Sequence, residues 1–167
     1  TYTATGQVDI QTTEQGSTDH DYDARDRLTR IDSPNGLIRY QYDAAGNRTQ
    51  LQTDHQTVNY GFDPLNRLAT VTDSQGSTQY RYDPAGNRTA VIYANGASTE
   101  YGHDTNNRVT RVVHKNAVGA VLLGLSYALN PTGTRAAIIE DNGHQTQYVY
   151  DELHRLAEEQ LTDAVGD

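Results

Sequence analysis

YDPAGNRTAV, residues 82–91, repeats almost letter for letter as YDAAGNRTQL at residues 42–51. Aligned on the tyrosine, the pattern recurs along the chain, with anchors at Tyr2, Tyr22, Tyr42, Phe62, Tyr82, His103, Tyr127 and Tyr150. The successive spacings are 20, 20, 20, 20, 21, 24 and 23. An acid follows the anchor at Asp23, Asp43, Asp63, Asp83, Asp104 and Asp151, whereas units one and seven carry Thr3 and Ala128. An arginine closes the motif at Arg27, Arg48, Arg67, Arg88, Arg108, Arg135 and Arg155, and unit one has Val8 there. Acid and arginine are four apart in DARDR, DPLNR, DTNNR and DELHR, and five apart in DAAGNR and DPAGNR. The two forms alternate through most of the chain, so the true period is about forty residues, one pair of hairpins. A repeat of this kind decides the architecture before any local propensity does.

The residue types explain the repeat. Segments before the motif, such as TVNYGFD, STQYRYD and LIRYQYD, favour strands. Aromatic pairs two apart (Tyr40 and Tyr42, Tyr60 and Phe62, Tyr80 and Tyr82, Tyr148 and Tyr150) lie on one face of a strand. The Asp then ends the strand, and its carboxylate accepts backbone N–H groups of the turn. Gly46, Gly86 and Gly133 supply the positive φ of a four-residue loop, with Asn47 and Asn87 following two of them. In a shorter loop, Asp26, Asn66, Asn107 and His154 take the left-handed position, which Asn and Asp favour after glycine. The arginine restarts the chain opposite the acid, which predicts a cross-turn ion pair. SPNG at 33–36, DSQG at 73–76, ANG at 94–96 and DNG at 141–143 mark hairpin turns at the other strand ends. Leu28 and Ile31, Leu68 and Val71, and Val109 and Val112 are three apart, which breaks strict alternation. A β-bulge after each short-loop arginine follows. The fold expected is all-β: an antiparallel meander of hairpins in one array over 1–167, forming a curved ribbon.

Composition bounds the function. The chain of 167 residues carries a net charge of −9, which repels phosphate backbones and argues against nucleic acid. Without cysteine there is neither a disulfide framework nor a thiolate metal site. The longest charge-free stretch, Asn116 to Thr134, is not apolar enough to span a membrane. DHDYDARDRLTR, 19–30, opens like a calcium loop but has Ala24 and Arg30 where glycine and glutamate are needed. The six histidines lack metal-ligand spacing. GLSYA, 124–128, is not a nucleophile elbow, because Ala128 replaces the second glycine. No cofactor, metal site or catalytic residue is expected. AVGAVLLGLSYAL, 117–129, reads as one or two buried strands with VGA as a turn. ELHRLAEEQLTDA, 152–164, has helical periodicity, but the repeat frame predicts a hairpin.

Y-D-x-x-G-N-R, with its recurrence over nearly the whole chain, resembles the YD-repeat or RHS-repeat family. That family includes bacterial Rhs toxins, the B–C component of insecticidal Tc toxins, wall-associated proteins and animal teneurins. The resemblance implies a ribbon of hairpins that spirals into a hollow shell, in bacteria around a C-terminal toxic domain. It also implies a secreted or cell-surface bacterial setting. Asp83, Pro84 and Gly86 echo the DPxG of the family's cleavage motif, but they lie inside an ordinary repeat, so cleavage is not carried over. Roughly sixteen strands give a ribbon about 75 Å long, too short to close around a folded domain more than about 30 Å across. The expectation is a panel of a larger shell, partnered by neighbouring repeat segments or by a second copy through its edge strands. The rival reading is a cell-surface module that binds carbohydrate or protein through exposed tyrosines.

Overall fold

A computed structural model describes residues 1–163. No helix occurs among them, and the fifteen strands lie in one sheet in chain order. The chain divides into two compact units, Thr1–Thr78 and a second beginning at Gln79. The first unit holds β1 (Ile10–Thr13), β2 (Gly16–Tyr22), β3 (Leu28–Ser33), β4 (Gly36–Tyr42), β5 (Arg48–Thr53), β6 (Thr57–Phe62) and β7 (Leu68–Asp73). The division falls inside β8 (Gly76–Tyr82). The second unit continues with β9 (Arg88–Ile92), β10 (Ser98–His103), β11 (Val109–Lys115), β12 (Val121–Leu129), β13 (Arg135–Glu140), β14 (Gln145–Tyr150) and β15 (Leu156–Thr162). The strand expected around Tyr2 is reduced to a single bridge between Tyr2 and Val8, which leaves fifteen strands against the sixteen anticipated.

The anchored turns, at what we call the front ends of the strands, share one backbone design. The N–H of the first residue donates to the carbonyl four residues on, and the N–H of the fourth donates back to the first. Asp23 with Arg27 and Asp43 with Asn47 show it at 2.9 and 3.0 Å. The same bonds recur from Thr3, Asp63, Asp83, Asp104, Asn130 and Asp151. The four-apart and five-apart forms are therefore not loops of different length, as the sequence suggested. In both, the fourth residue is left-handed: Asp26 at φ 57° and Gly46 at 100°, Asn66 at 59° and Gly86 at 94°. The forms differ in the fourth place, which is Asp, Asn or His in one and glycine in the other, and in whether arginine or asparagine fills the fifth.

The bulges are likewise more general than expected. The register slips between Asp21 and Tyr22 opposite Arg30 and Leu28, and between Gln41 and Tyr42 opposite Gln50 and Arg48. Both forms bulge alike, because the shared turn sets the register. The three-apart apolar signal appeared only where Leu or Val follows the turn; Arg48 hid it in the other form.

Unit seven is also displaced from the anchor read at Tyr127. Leu129 pairs with Arg135 as Tyr42 pairs with Arg48, and Asn130 begins the turn. Gly133, at φ 92°, fixes the fourth position and so pulls the frame two residues along. Tyr127 then stands where Tyr40 stands in its own unit.

At the opposite, rear ends the two units differ. In the first, Thr13 with Gly16 and Ser33 with Gly36 close two-residue loops. In the second, the turns 93–97, 116–120 and 140–144 repeat the front-turn bonding, with Gly96, Gly119 and Gly143 left-handed. The extra residue lengthens the repeat from 20 to 21 between Tyr82 and His103.

Residues paired across strands share a face. In the first unit one face carries the rows Tyr40–Leu51–Val58 and Tyr60–Val71. The other carries Gln41–Gln50–Asn59–Thr72 and Asp21–Arg30–Arg39–Gln52–Thr57. In the second, Tyr80–Val91–Thr99–His114–Leu123 makes one row. Burial is thin. Only Ala90, Val91, Thr99, Val113, Gly124 and Ala137 are buried among the described residues, all in the second unit. The segment 117–129, expected as one or two buried strands with VGA as a turn, keeps the turn but is only partly buried. It supplies one strand, β12, whose first residues Val121, Leu122 and Leu123 are exposed, because β13 pairs with β12 only from Leu125 onward and leaves that side of them without a neighbouring strand. At 152–162 the repeat frame prevails over helical periodicity: the turn from Asp151 leads into β15. Ala164, the last residue of that segment, lies outside the described residues.

Candidate functional site

The feature with the most specific side-chain chemistry is the row of front turns. In the first form the acid clamps the turn and the arginine together. Asp23 Oδ1 accepts the N–H groups of Arg25 and Arg27 at 2.8 and 3.1 Å, and Oδ2 accepts Arg27 Nε at 2.7 Å. Asp63 with Arg67, Asp104 with Arg108 and Asp151 with Arg155 repeat the Nε contact, each at 2.7 Å. In the second form the arginine does not take this place. Asn47 donates its backbone N–H and its Nδ2 to Asp43 at 2.8 and 2.9 Å, and Asn87 does the same to Asp83 at 2.8 and 3.0 Å.

These bonds hold the carboxylates ionised. The side-chain bond from Arg27 lowers the Asp23 pKa to about 2. Side-chain bonds from Asn47 and Asn87 lower Asp43 and Asp83. For Asp63, Asp104 and Asp151 the leading cause is the backbone N–H of Arg67, Arg108 and Arg155.

The second-form arginines stack on aromatic rings instead. The Arg48 guanidinium lies 5.7 Å from the Tyr40 ring centre and 5.0 Å from that of Tyr60. Arg88 lies 4.9 Å from Tyr101, and Arg135 lies 4.6 Å from Tyr127. Arg27 does both jobs, lying 4.5 Å from the Tyr42 ring while paired with Asp23. Stacking of this kind contributes about 0.5–1 kcal/mol at an exposed site.

Within each unit, several turns are also tied to the next. Arg27 Nη1 donates to the Asp43 carbonyl at 3.1 Å, and Arg108 Nη1 to the Asn130 carbonyl at 3.2 Å. Asn47 Nδ2 reaches Asn66 Oδ1 at 2.9 Å, and Asn87 Nδ2 reaches Asn107 Oδ1 at 2.7 Å. Anchor tyrosines bind the other way: Tyr22 and Tyr42 donate their hydroxyls to the carbonyls of Val8 and Leu28, both at 2.8 Å.

The structure thus brings Tyr22, Asp23, Arg27, Tyr42, Asp43, Gly46 and Asn47 into one linked row in the first unit. Asp63 and Arg67 make their own clamp there, and Phe62 opens the bulge opposite Leu68. In the second unit Asp83, Gly86 and Asn87 form the corresponding turn, and Tyr82 pairs with Arg88. Asp104 with Arg108 and Asp151 with Arg155 close two further turns, and Tyr150 pairs with Leu156. Arg135 starts β13 and is held by Tyr127 rather than by an acid.

Several working residues escaped the sequence reading. Arg25 donates to the Ala44 carbonyl at 2.7 Å, and nothing in its position signals this. Asn66 and Asn107 are left-handed and also receive the neighbouring turn, a second duty that the alternation of forms could have revealed. Arg111 reaches across β12 to Asp141 at 3.0 Å. Gly124 permits that approach, since a Cβ there would lie 1.8 Å from the Asp141 carboxylate.

Among the described residues no group of three His, Asp or Glu side chains is placed to hold a metal ion. An open cavity of about 280 Å³ lies between Ser33–Ile38 and Thr53–His55.

A family model described as the RHS repeat matches residues 22–58, 62–98 and 82–118. No curated protein matches the chain. Among solved structures, TcdB2-TccC3 without its hypervariable C-terminal region aligns with a TM-score of 0.50 at 16% identity, over 93% of this chain and 12% of that one. TcdB2-TccC3-Cdc42 aligns at 0.48 and 15% identity, over 93% and 12%. The Tc holotoxin pore of Photorhabdus luminescens aligns at 0.46 and 16% identity, over 91% and 12%. The present chain therefore spans 12% of the length of those chains. The first of these likenesses supports the strand architecture and nothing finer.

Proposed function

The chain belongs to the RHS-repeat family, and on that premise we propose that it is a structural segment of a bacterial toxin shell, one stretch of the wall around a C-terminal toxin domain. The observation that carries the reading is the one-layered design. The strands follow chain order, hydrogen-bonded turns line the front ends, and almost nothing is fully buried within the described residues. Such a sheet suits a wall completed by more of its own kind. In this reading 1–167 is one array, and the Asp, Arg, Asn and Gly of the front turns hold it together without performing a reaction. Its partners are neighbouring repeat segments or a second copy joined at an edge strand, and its setting is secreted or cell-surface.

Limited proteolysis of the intact parent protein tests this. A C-terminal domain protected while the repeats are intact, and exposed when front-turn acids in several units are changed to alanine, is the expected result. Equal digestion of that domain in both proteins would overturn the reading. A glycan array with the isolated repeats addresses the rival: specific sugar binding that is lost when Tyr93 or Tyr2 is changed would favour a recognition module.

A further inference from the structure

Three Asn–Gly pairs occupy rear turns: Asn35–Gly36, Asn95–Gly96 and Asn142–Gly143. All three asparagines are exposed. An Asn followed by Gly is chemically prone to cyclise, because the next residue has no side chain to block approach of its nitrogen. The fold treats the three differently. Asn142 is held at both ends of its amide: Oδ1 accepts the His144 N–H at 3.0 Å, and Nδ2 donates to Glu140 Oε2 at 3.0 Å. Asn95 Oδ1 accepts the Ala97 N–H at 3.0 Å. The Asn35 amide makes no side-chain hydrogen bond among the described residues; only its backbone N–H is engaged, by Ser33 Oγ at 3.3 Å. Asn35 also lines the open cavity between the 33–36 and 53–56 turns, where water has access.

We propose that Asn35 is a self-modification site, converting to aspartate and isoaspartate through a cyclic imide with Gly36, ahead of the other two pairs. The Gly36 nitrogen, having lost its proton to solvent base, attacks Asn35 Cγ. The new N–Cγ bond forms, the Cγ–Nδ2 bond breaks, and the amide leaves as ammonia after taking up a proton from water. One water then opens the ring. Cleavage at Cγ gives aspartate, and cleavage at the main-chain carbonyl gives isoaspartate, with the chain rerouted through the side chain. No oxidant or reductant is required.

Position gives the change a consequence. The Asp54 carboxylate accepts the Leu37 N–H at 2.9 Å and sits 2.9 Å from where a Cβ on Gly36 would be. Conversion puts a second negative charge into that cavity. The isoaspartate route also adds a backbone atom to a two-residue loop, whose length sets the register of β3 against β4. The product is a loosened β3–β4 hairpin.

The test is peptide mapping with isoaspartate detection after incubation of the chain in mildly alkaline buffer, folded and in denaturant. All three share the Asn–Gly dipeptide but differ in their flanking residues, so the denatured rate of each pair serves as its own reference. The expected result is a folded-to-denatured rate ratio several-fold higher at Asn35 than at Asn95 or Asn142, with the early product absent from Asn35→Gln. A ratio at Asn35 equal to or below either of the others overturns the proposal.

Discussion

Replacing Gly46 tests whether the two forms of the repeat share one turn. Its φ is 100°, and a Cβ built on it would have no neighbour within 4 Å, so a substitution meets backbone strain and no clash. Holding alanine in the left-handed region costs about 1–2 kcal/mol. Loss of glycine's freedom in the unfolded chain returns about 0.4–1 kcal/mol. Gly46→Ala should therefore destabilise by about 0.8 kcal/mol at the middle of those ranges, and Gly46→Val by more, because a β-branched residue is a true outlier there. Gly46→Asn should be close to neutral, since Asn66 already holds that place in the other form at φ 59°. With a urea slope of about 2 kcal/mol/M, the alanine variant's midpoint should fall by about 0.4 M, and the asparagine variant's should barely move. An asparagine variant as unstable as the alanine one would refute the shared-turn account.

Acid should release the front turns. The folded pKa values of Asp23, Asp43, Asp63, Asp83, Asp104 and Asp151 lie below the unfolded value of 3.8, so their contribution is present above that pH and is lost as pH falls through the folded values, about 2 for Asp23. Thermal unfolding followed by circular dichroism should show this fall between those limits, and a flat profile would contradict it. Gly124→Ala should displace Asp141, break its half-exposed pair with Arg111 and its N–H bond to the Gly124 carbonyl, and cost about 1–2 kcal/mol. In a double-mutant cycle with Arg111→Ala the losses should fall short of their sum; full additivity would mean the clasp does not exist. Asn47 and Asn87 fall in N-x-T sequons, yet each Nδ2 is committed to two acceptors. Expression of the folded chain in a glycosylating host should leave both unmodified by mass spectrometry, and high occupancy would show that those bonds open readily.

The repeat made the strands legible because its cues are local and agree with one another. Aromatic residues two apart, an acid at the corner and a left-handed residue three places later all point to one hairpin. Asp26, Asn66, Asn107 and His154 could be named as the left-handed residues for that reason, and they are the four non-glycine residues with positive φ among those described. Cues that depend on a neighbouring strand were hidden. The partner of Arg48 is a ring on the same face, not the acid five residues earlier. Spacing along the chain cannot distinguish the two, because the bulge changes which residues meet. At Tyr127 the aromatic signal was followed, whereas Gly133 determines the frame. The exposed start of β12 looked buried because apolar content says nothing about whether a partner strand continues beside it.

Along the front row, arginine and asparagine side chains reach toward the following turn, while tyrosine hydroxyls reach back to the preceding one. Within each unit the linked hairpins thus offer their successors a docking edge built from local contacts. Such a chain can be assembled in the order in which it leaves the ribosome. Its gene can also gain or lose a pair of hairpins as a block, altering the extent of the sheet while leaving every remaining corner chemically complete.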